Sequence, residues 1–134
     1  MDTPSEPIVS SVPFVPFVMT EAEAATLLAI LVTTEDGRVR AGMTGAELEA
    51  LLARLGDEGD RYVVVERGLI ESRVFIQARR ADDAVYAVGH RAAGSDQHFG
   101  VLIAEPGQVA ALMAAWARRD TSWLAAGWVA VAGA

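Results

Sequence analysis

The stretch Arg73-Val74-Phe75-Ile76-Gln77-Ala78-Arg79 alternates between two kinds of side chain. Successive side chains of a strand point to opposite faces, so Val74, Ile76 and Ala78 share one side while Arg73, Phe75, Gln77 and Arg79 share the other. A period of two sustained over seven residues predicts a half-buried strand. Tyr62–Glu66, Ala84–His90 and His98–Ala104 read the same way and are rich in Val, Ile, Phe and Tyr. Arg80-Ala81-Asp82-Asp83 predicts a tight link, and Arg91–Gln97, with Gly94-Ser95-Asp96, a looser one. Links this short favour antiparallel pairing, because a parallel crossover takes about a dozen residues. Val63 and Val65, with Val74 and Ile76, are therefore expected on the buried side of an antiparallel sheet.

Helical signals flank this block. Met19-Thr20-Glu21-Ala22-Glu23 and Met43-Thr44-Gly45-Ala46-Glu47 each have the form of a capping box, Thr followed three residues later by Glu. Ala24, Leu27, Leu28 and Leu31 fall at i, i+3, i+4 and i+7, as do Leu48, Leu51, Leu52 and Leu55, and Gly56 sits where a C-cap belongs. Downstream, Glu105-Pro106 opens a third helix with Val109, Leu112, Met113 and Trp116 on one face. The expected fold is α+β in the order α-α-β-β-β-β-α, an antiparallel four- to five-stranded sheet with helices packed on one face. Residues 1–18, with Pro7, Pro13 and Pro16, read as an extended apolar N-terminal arm, and residues 19–134 as a single α+β domain. The tail from Thr121 to Ala134 reads as a final strand or a docked extension.

The composition removes several chemistries. Of 134 residues 25 are alanine, none is cysteine, and every one of the 11 basic residues is arginine. A thiol nucleophile, a zinc–thiolate site, a Schiff base and a phosphate-binding P-loop lysine are thereby excluded. Net charge is −7, distributed as −8 over residues 1–60 and +1 over residues 61–134. An acidic chain is repelled by phosphate backbones, so no nucleic acid is expected as a partner. No apolar run approaches the ~20 residues that a membrane span needs, and the acidic Asp2 and Glu6 stand where a secretory signal would be basic. No membrane insertion and a cytoplasmic location are the corresponding expectations.

No candidate for catalysis rises from the remaining side chains, and no cofactor motif occurs. His90 and His98 fall opposite or nearly opposite one another if their strands form a hairpin, a spacing that allows shared metal binding in principle. Ser95, Asp96 and His98 are too close in sequence to converge as a triad. Asp57-Glu58-Gly59-Asp60 is followed by Arg61 at a ligand position and Tyr62 where a calcium loop needs glycine, so it reads as an acidic linker.

The segment Arg73–Trp116 resembles part of the actinobacterial ESX (type VII) secretion-associated EspG family, over roughly a third of the chain. The likeness lies in Val74-Phe75-Ile76-Gln77-Ala78-Arg79, in Ala84-Val85-Tyr86-Ala87-Val88, and in a strand ending before Glu105-Pro106-Gly107 and an Ala/Leu helix. It implies antiparallel sheet-plus-helix architecture and a cytosolic chaperone role toward secreted proteins. A rival resemblance is to winged-helix DNA-binding regulators, with Thr44–Leu55 as second helix, Asp57–Arg67 as recognition helix and Arg79–Tyr86 as wing tip. The expected function is non-catalytic protein binding, chaperone-like or assembly-related. Arg73, Phe75, Arg79, Arg80, Arg91, Trp123 and Trp128 are the candidate partner-binding residues. Arg61, Arg67, Arg80 and Arg91 are read as joining Arg73 and Arg79 on one basic, aromatic-studded face. A homodimer is expected, with Phe14, Phe17, Trp123 or Trp128 at its seam.

Overall fold

The computed structural model describes residues 18–56, 61–67, 74–82, 85–91 and 98–131. The capping boxes hold: the Thr20 and Thr44 side chains accept from the Glu23 and Glu47 backbone N–H groups, and each Glu reciprocates. Helix α1 nevertheless covers only Glu21–Ala25. Where the helical spacing of Leu27, Leu28 and Leu31 predicted continuation, the chain extends into strand β1 (Leu27–Thr34), which buries Leu28, Ile30 and Val32 in alternation. Ile30, Val32, Thr33 and Thr34 are β-branched, a composition that suits a pleated surface better than a helix.

A turn at Glu35–Arg38 then returns the chain as β2 (Val39–Thr44). Gly37 takes φ 89° there, and the Asp36 carboxylate accepts from Arg38 N and from Thr34 Oγ1. The hydrogen bond from Thr34 and that from the Arg38 backbone hold the Asp36 carboxyl below its ordinary pKa. This hairpin was not expected from the sequence and adds two strands to the sheet. Gly42, at φ 85°, lies at the bulge where β1 inserts an extra residue between Leu28 and Leu31.

Helix α2 (Gly45–Ala53) follows, then β3 (Tyr62–Glu66), β4 (Phe75–Asp82), β5 (Val85–Arg91) and β6 (His98–Ile103). Helix α3 (Pro106–Ala117) carries its proline in the first turn, and a 3-10 helix (Thr121–Ala126) leads into β7 (Val129–Val131). The sheet has seven strands rather than four or five, in the order β2-β1-β3-β4-β5-β6-β7 with every neighbouring pair antiparallel. The α+β class stands, and β1, β2 and β7 make up the difference in count.

Helices α2 and α3 and the 3-10 helix lie on the same face of the sheet. Val63, Val65, Ile76, Val88, Leu48, Leu52, Leu112 and Trp116 meet in one core, each with almost no exposed surface. Two side chains of the sheet close the end of α2: Tyr86 Oη donates to Leu52 O at 2.8 Å, and Arg80 donates to Leu55 O at 3.0 Å. Leu52 O also accepts from Leu55 N, and Leu55 lies in the turn after α2, so the two side chains tie the helix end and its exit turn to the sheet. Residues 62–66 form a strand, where a winged-helix reading requires part of a recognition helix. Residues 57–60, with the acidic linker, lie outside the described residues.

Candidate functional site

The register of the strands determines which side chains meet on the other face of the sheet. One row runs its full width: Val39, Thr33, Val64, Gln77, Gly89, Gly100 and Val129 are successive cross-strand partners. Below it run Leu31, Glu66, Phe75, Arg91 and His98, and above it Tyr62, Arg79, Ala87 and Leu102. No described helix covers this face. Among the described residues, seven large hydrophobic side chains are exposed, and five of them, Leu27, Val39, Tyr62, Leu102 and Val129, project from it. Single exposed apolar residues are ordinary; their concentration on one face is the feature that marks a surface for binding.

The centre of the face is hollow. Gly89 and Gly100 lie side by side in the lining of an open groove of about 640 Å³. Phe75, Gln77 and Arg79 form one wall, Leu102 and Val129 the other, with the Phe75 ring edge-on to His98 at 6.0 Å. No Asp or Glu is among the described lining residues. Arg79 is exposed and forms no ion pair among the described residues.

The opposite face carries a second cluster. His90 is the one buried polar side chain of the described core, with 7% of its surface exposed. Its ring stacks on Phe99 at 5.1 Å and meets the rings of Trp123 and Trp128 nearly perpendicularly, at 4.9 and 4.4 Å. The turn after α3 delivers those tryptophans: Arg119 takes φ 63°, the Asp120 side chain accepts from Ser122 N, and Gly127 at φ 86° ends the 3-10 helix. Trp128 Nε1 then donates to Trp123 O at 2.9 Å. Burial among these rings pushes the His90 imidazole below its ordinary pKa, with the charge of His98 as a smaller contribution in the same direction.

The sequence-derived candidates divide between these faces. Phe75, Arg79 and Arg91 lie together on the helix-free face. Arg80 does not join them: it points to the helix side, where its guanidinium reaches Leu55 O and lies 5.1 Å from the Tyr86 ring centre. Arg67 is likewise on the helix side, 4.5 Å above the Trp116 ring, so the basic face is narrower than expected. Trp123 and Trp128 are half-buried against the chain's own core around His90. Arg73, Phe14 and Phe17 lie outside the described residues. The histidines are not cross-strand partners, because His90 pairs with Phe99 and His98 with Arg91, which puts the imidazoles on opposite faces. Among the described residues no group of three or more His, Cys, Asp or Glu side chains is placed to hold a metal ion.

Sequence reasoning missed the Gly89–Gly100 groove. Its signal was a glycine inside each of two strands, a pattern that marks close approach of another group. The site therefore defines an antiparallel α+β protein in which, among the described residues, helices cover one sheet face and leave the other open. Comparison with protein-family models, with curated proteins and with solved structures finds no match.

Proposed function

We propose that the protein is a non-catalytic protein-binding module, chaperone-like or assembly-related, whose working surface is the helix-free face of its sheet. The observation that carries this reading is the concentration of exposed Leu27, Val39, Tyr62, Leu102 and Val129 on that face. Binding energy at protein interfaces comes from apolar and aromatic anchors surrounded by a polar rim, and this face has both. The reading places the protein in the cytoplasm. No described helix is long and apolar enough to cross a membrane. It also keeps the expected homodimer, which sedimentation of the full chain at tens of micromolar tests, a monomer removing that part alone.

A photo-crosslinking side chain introduced at Leu102, and separately at Leu124 of the 3-10 helix, tests the reading in the native host. Both positions are exposed, so neither substitution disturbs the core. The expected result is a discrete protein adduct from position 102 that is absent from position 124. Adducts from 124 alone, or none from either, count against it. A gel shift with genomic fragments at about 150 mM salt is expected to show no sequence-selective binding, and selective sub-micromolar binding would transfer the assignment to nucleic acid.

A further inference from the structure

We infer that the groove over Gly89 and Gly100 receives an acidic, apolar-anchored peptide, an extended segment of a partner protein. That segment sets a bulky aliphatic or aromatic side chain over the two glycines and a carboxylate against Arg79. The inference rests on the preceding reading of this face and adds the chemistry of the occupant.

The first support is the glycine itself. Gly89 is not in the left-handed region, and a Cβ built on it meets Phe99 O at 3.4 Å and Gln77 Cγ at 3.9 Å, ordinary contact distances. The fold makes no demand for glycine there. Glycine within a strand weakens it, because backbone entropy is lost on folding and no side chain packs in return. Its effect at this position is external: it keeps open a depression on the surface of the sheet.

The second support is charge. The chain carries 18 acidic residues and a net charge of −7, yet no carboxylate is among the described lining residues. Glu66, an acidic side chain of this face among the described residues, neighbours the wall residue Phe75 across the strands but does not line the groove. Arg79 projects at the rim from β4, and His98 closes the far end. A cationic rim on an apolar trough complements a ligand that is apolar with an anionic group. It disfavours a basic segment through like-charge repulsion. The third support is the rim of Leu102 and Val129, with 68% and 66% of their surfaces exposed, which supplies apolar contact on the side away from Arg79.

Fluorescence anisotropy on the full-length chain tests the inference with three labelled peptides of about ten residues, long enough to cross the face. They share the same Leu and Phe content and differ in their polar positions, which are Asp/Glu, Asn/Gln or Lys. The acidic peptide is expected to bind about fivefold more tightly than the neutral one, the yield of one partly exposed ion pair. Arg79→Glu should remove that preference, whereas Arg54→Glu, at the C-cap of α2, should not. Gly89→Val adds a side chain to the floor of the trough, at a backbone conformation open to any residue, and should weaken all binding by about tenfold or more. Thermal melts followed by circular dichroism establish that each variant is folded.

Equal binding of acidic and neutral peptides, with sensitivity to Gly89→Val retained, overturns the charge assignment and leaves the face as the binding surface. Binding that ignores Gly89→Val, or no binding of any peptide below about 1 mM, overturns the groove as the seat. Self-association of the full chain that Gly89→Val abolishes assigns the groove to a second copy and overturns the peptide. The crosslinking outcome at Leu102 stands apart from all three, so failure of the ligand chemistry and failure of the protein-binding reading are distinguishable.

Discussion

Replacing Ile76 and Gln77 in turn with aspartate places the same charge on the two faces of one strand. Ile76 has no exposed surface and lies in the core beneath the helices, whereas the adjacent Gln77 is exposed on the helix-free side. Loss of the Ile76 side chain forfeits ~2–3 kcal/mol of apolar burial. An uncompensated buried charge adds ~3–5 kcal/mol. Together these reach roughly 5–8 kcal/mol, against a total stability of about 7–20 kcal/mol for 134 residues. Ile76→Asp should therefore lower stability by roughly 5–8 kcal/mol, enough to unfold a domain at the lower end of that range, while Gln77→Asp should stay within about 0.5 kcal/mol of the parent. Ile76→Ala, which only opens a cavity, provides a measurable intermediate at ~2–5 kcal/mol. Urea unfolding followed by far-ultraviolet circular dichroism gives all three. A Gln77→Asp protein that unfolds beside an Ile76→Asp protein with the parental midpoint would refute the assignment of faces.

Tyr86→Phe removes the hydrogen bond to Leu52 O and should cost about 1 kcal/mol in the same assay, with no change of fold. Thr44→Ala removes the N-cap of α2, whose Leu48 and Leu52 are in the core, and should cost ~1 kcal/mol. Thr20→Ala should cost less, since α1 is five residues long and buries none of them. Folded His90 resists protonation, while the unfolded imidazole takes up its proton near 6.5. The unfolded state thus binds more protons as pH falls through that value, so stability is level above about pH 7 and declines on acidification below 6.5. His90→Phe keeps an aromatic ring among Phe99, Trp123 and Trp128 and should abolish that decline. Asp36 and Glu47 are held below their ordinary values of 3.8 and 4.5, so their losses begin at more acid pH and do not obscure it.

Elements whose signals lie within a few residues were legible without the structure. Thr44 with Glu47, Pro106 after Glu105, and the alternation in Tyr62–Glu66 and His98–Ile103 are local chemistry, and each appears where the sequence places it. Alternation also placed Val74, Ile76 and Ala78 under the helices and Phe75 and Arg79 opposite them. Leu27–Thr34 was different, because Ala24, Leu27, Leu28 and Leu31 satisfy a helical period while Leu28, Ile30 and Val32 satisfy a strand period. Its fate depends on pairing with β2 on one side and β3 on the other, and β3 begins nearly thirty residues later.

Register is likewise a property of two strands at once. A one-residue offset in the β5–β6 pairing separates His90 from His98 across the sheet, and the same register puts Gly89 beside Gly100. By itself, then, the sequence determined the class of fold, the starts of α2 and α3, and which side chains of each central strand are buried, because those follow from propensity and period along the chain. Only the tertiary structure decided that seven strands join, that Arg80 serves a helix end while Arg79 faces outward, and that two glycines meet in the lining of a groove, because hydrogen-bonded pairing between distant segments sets what lies across from what.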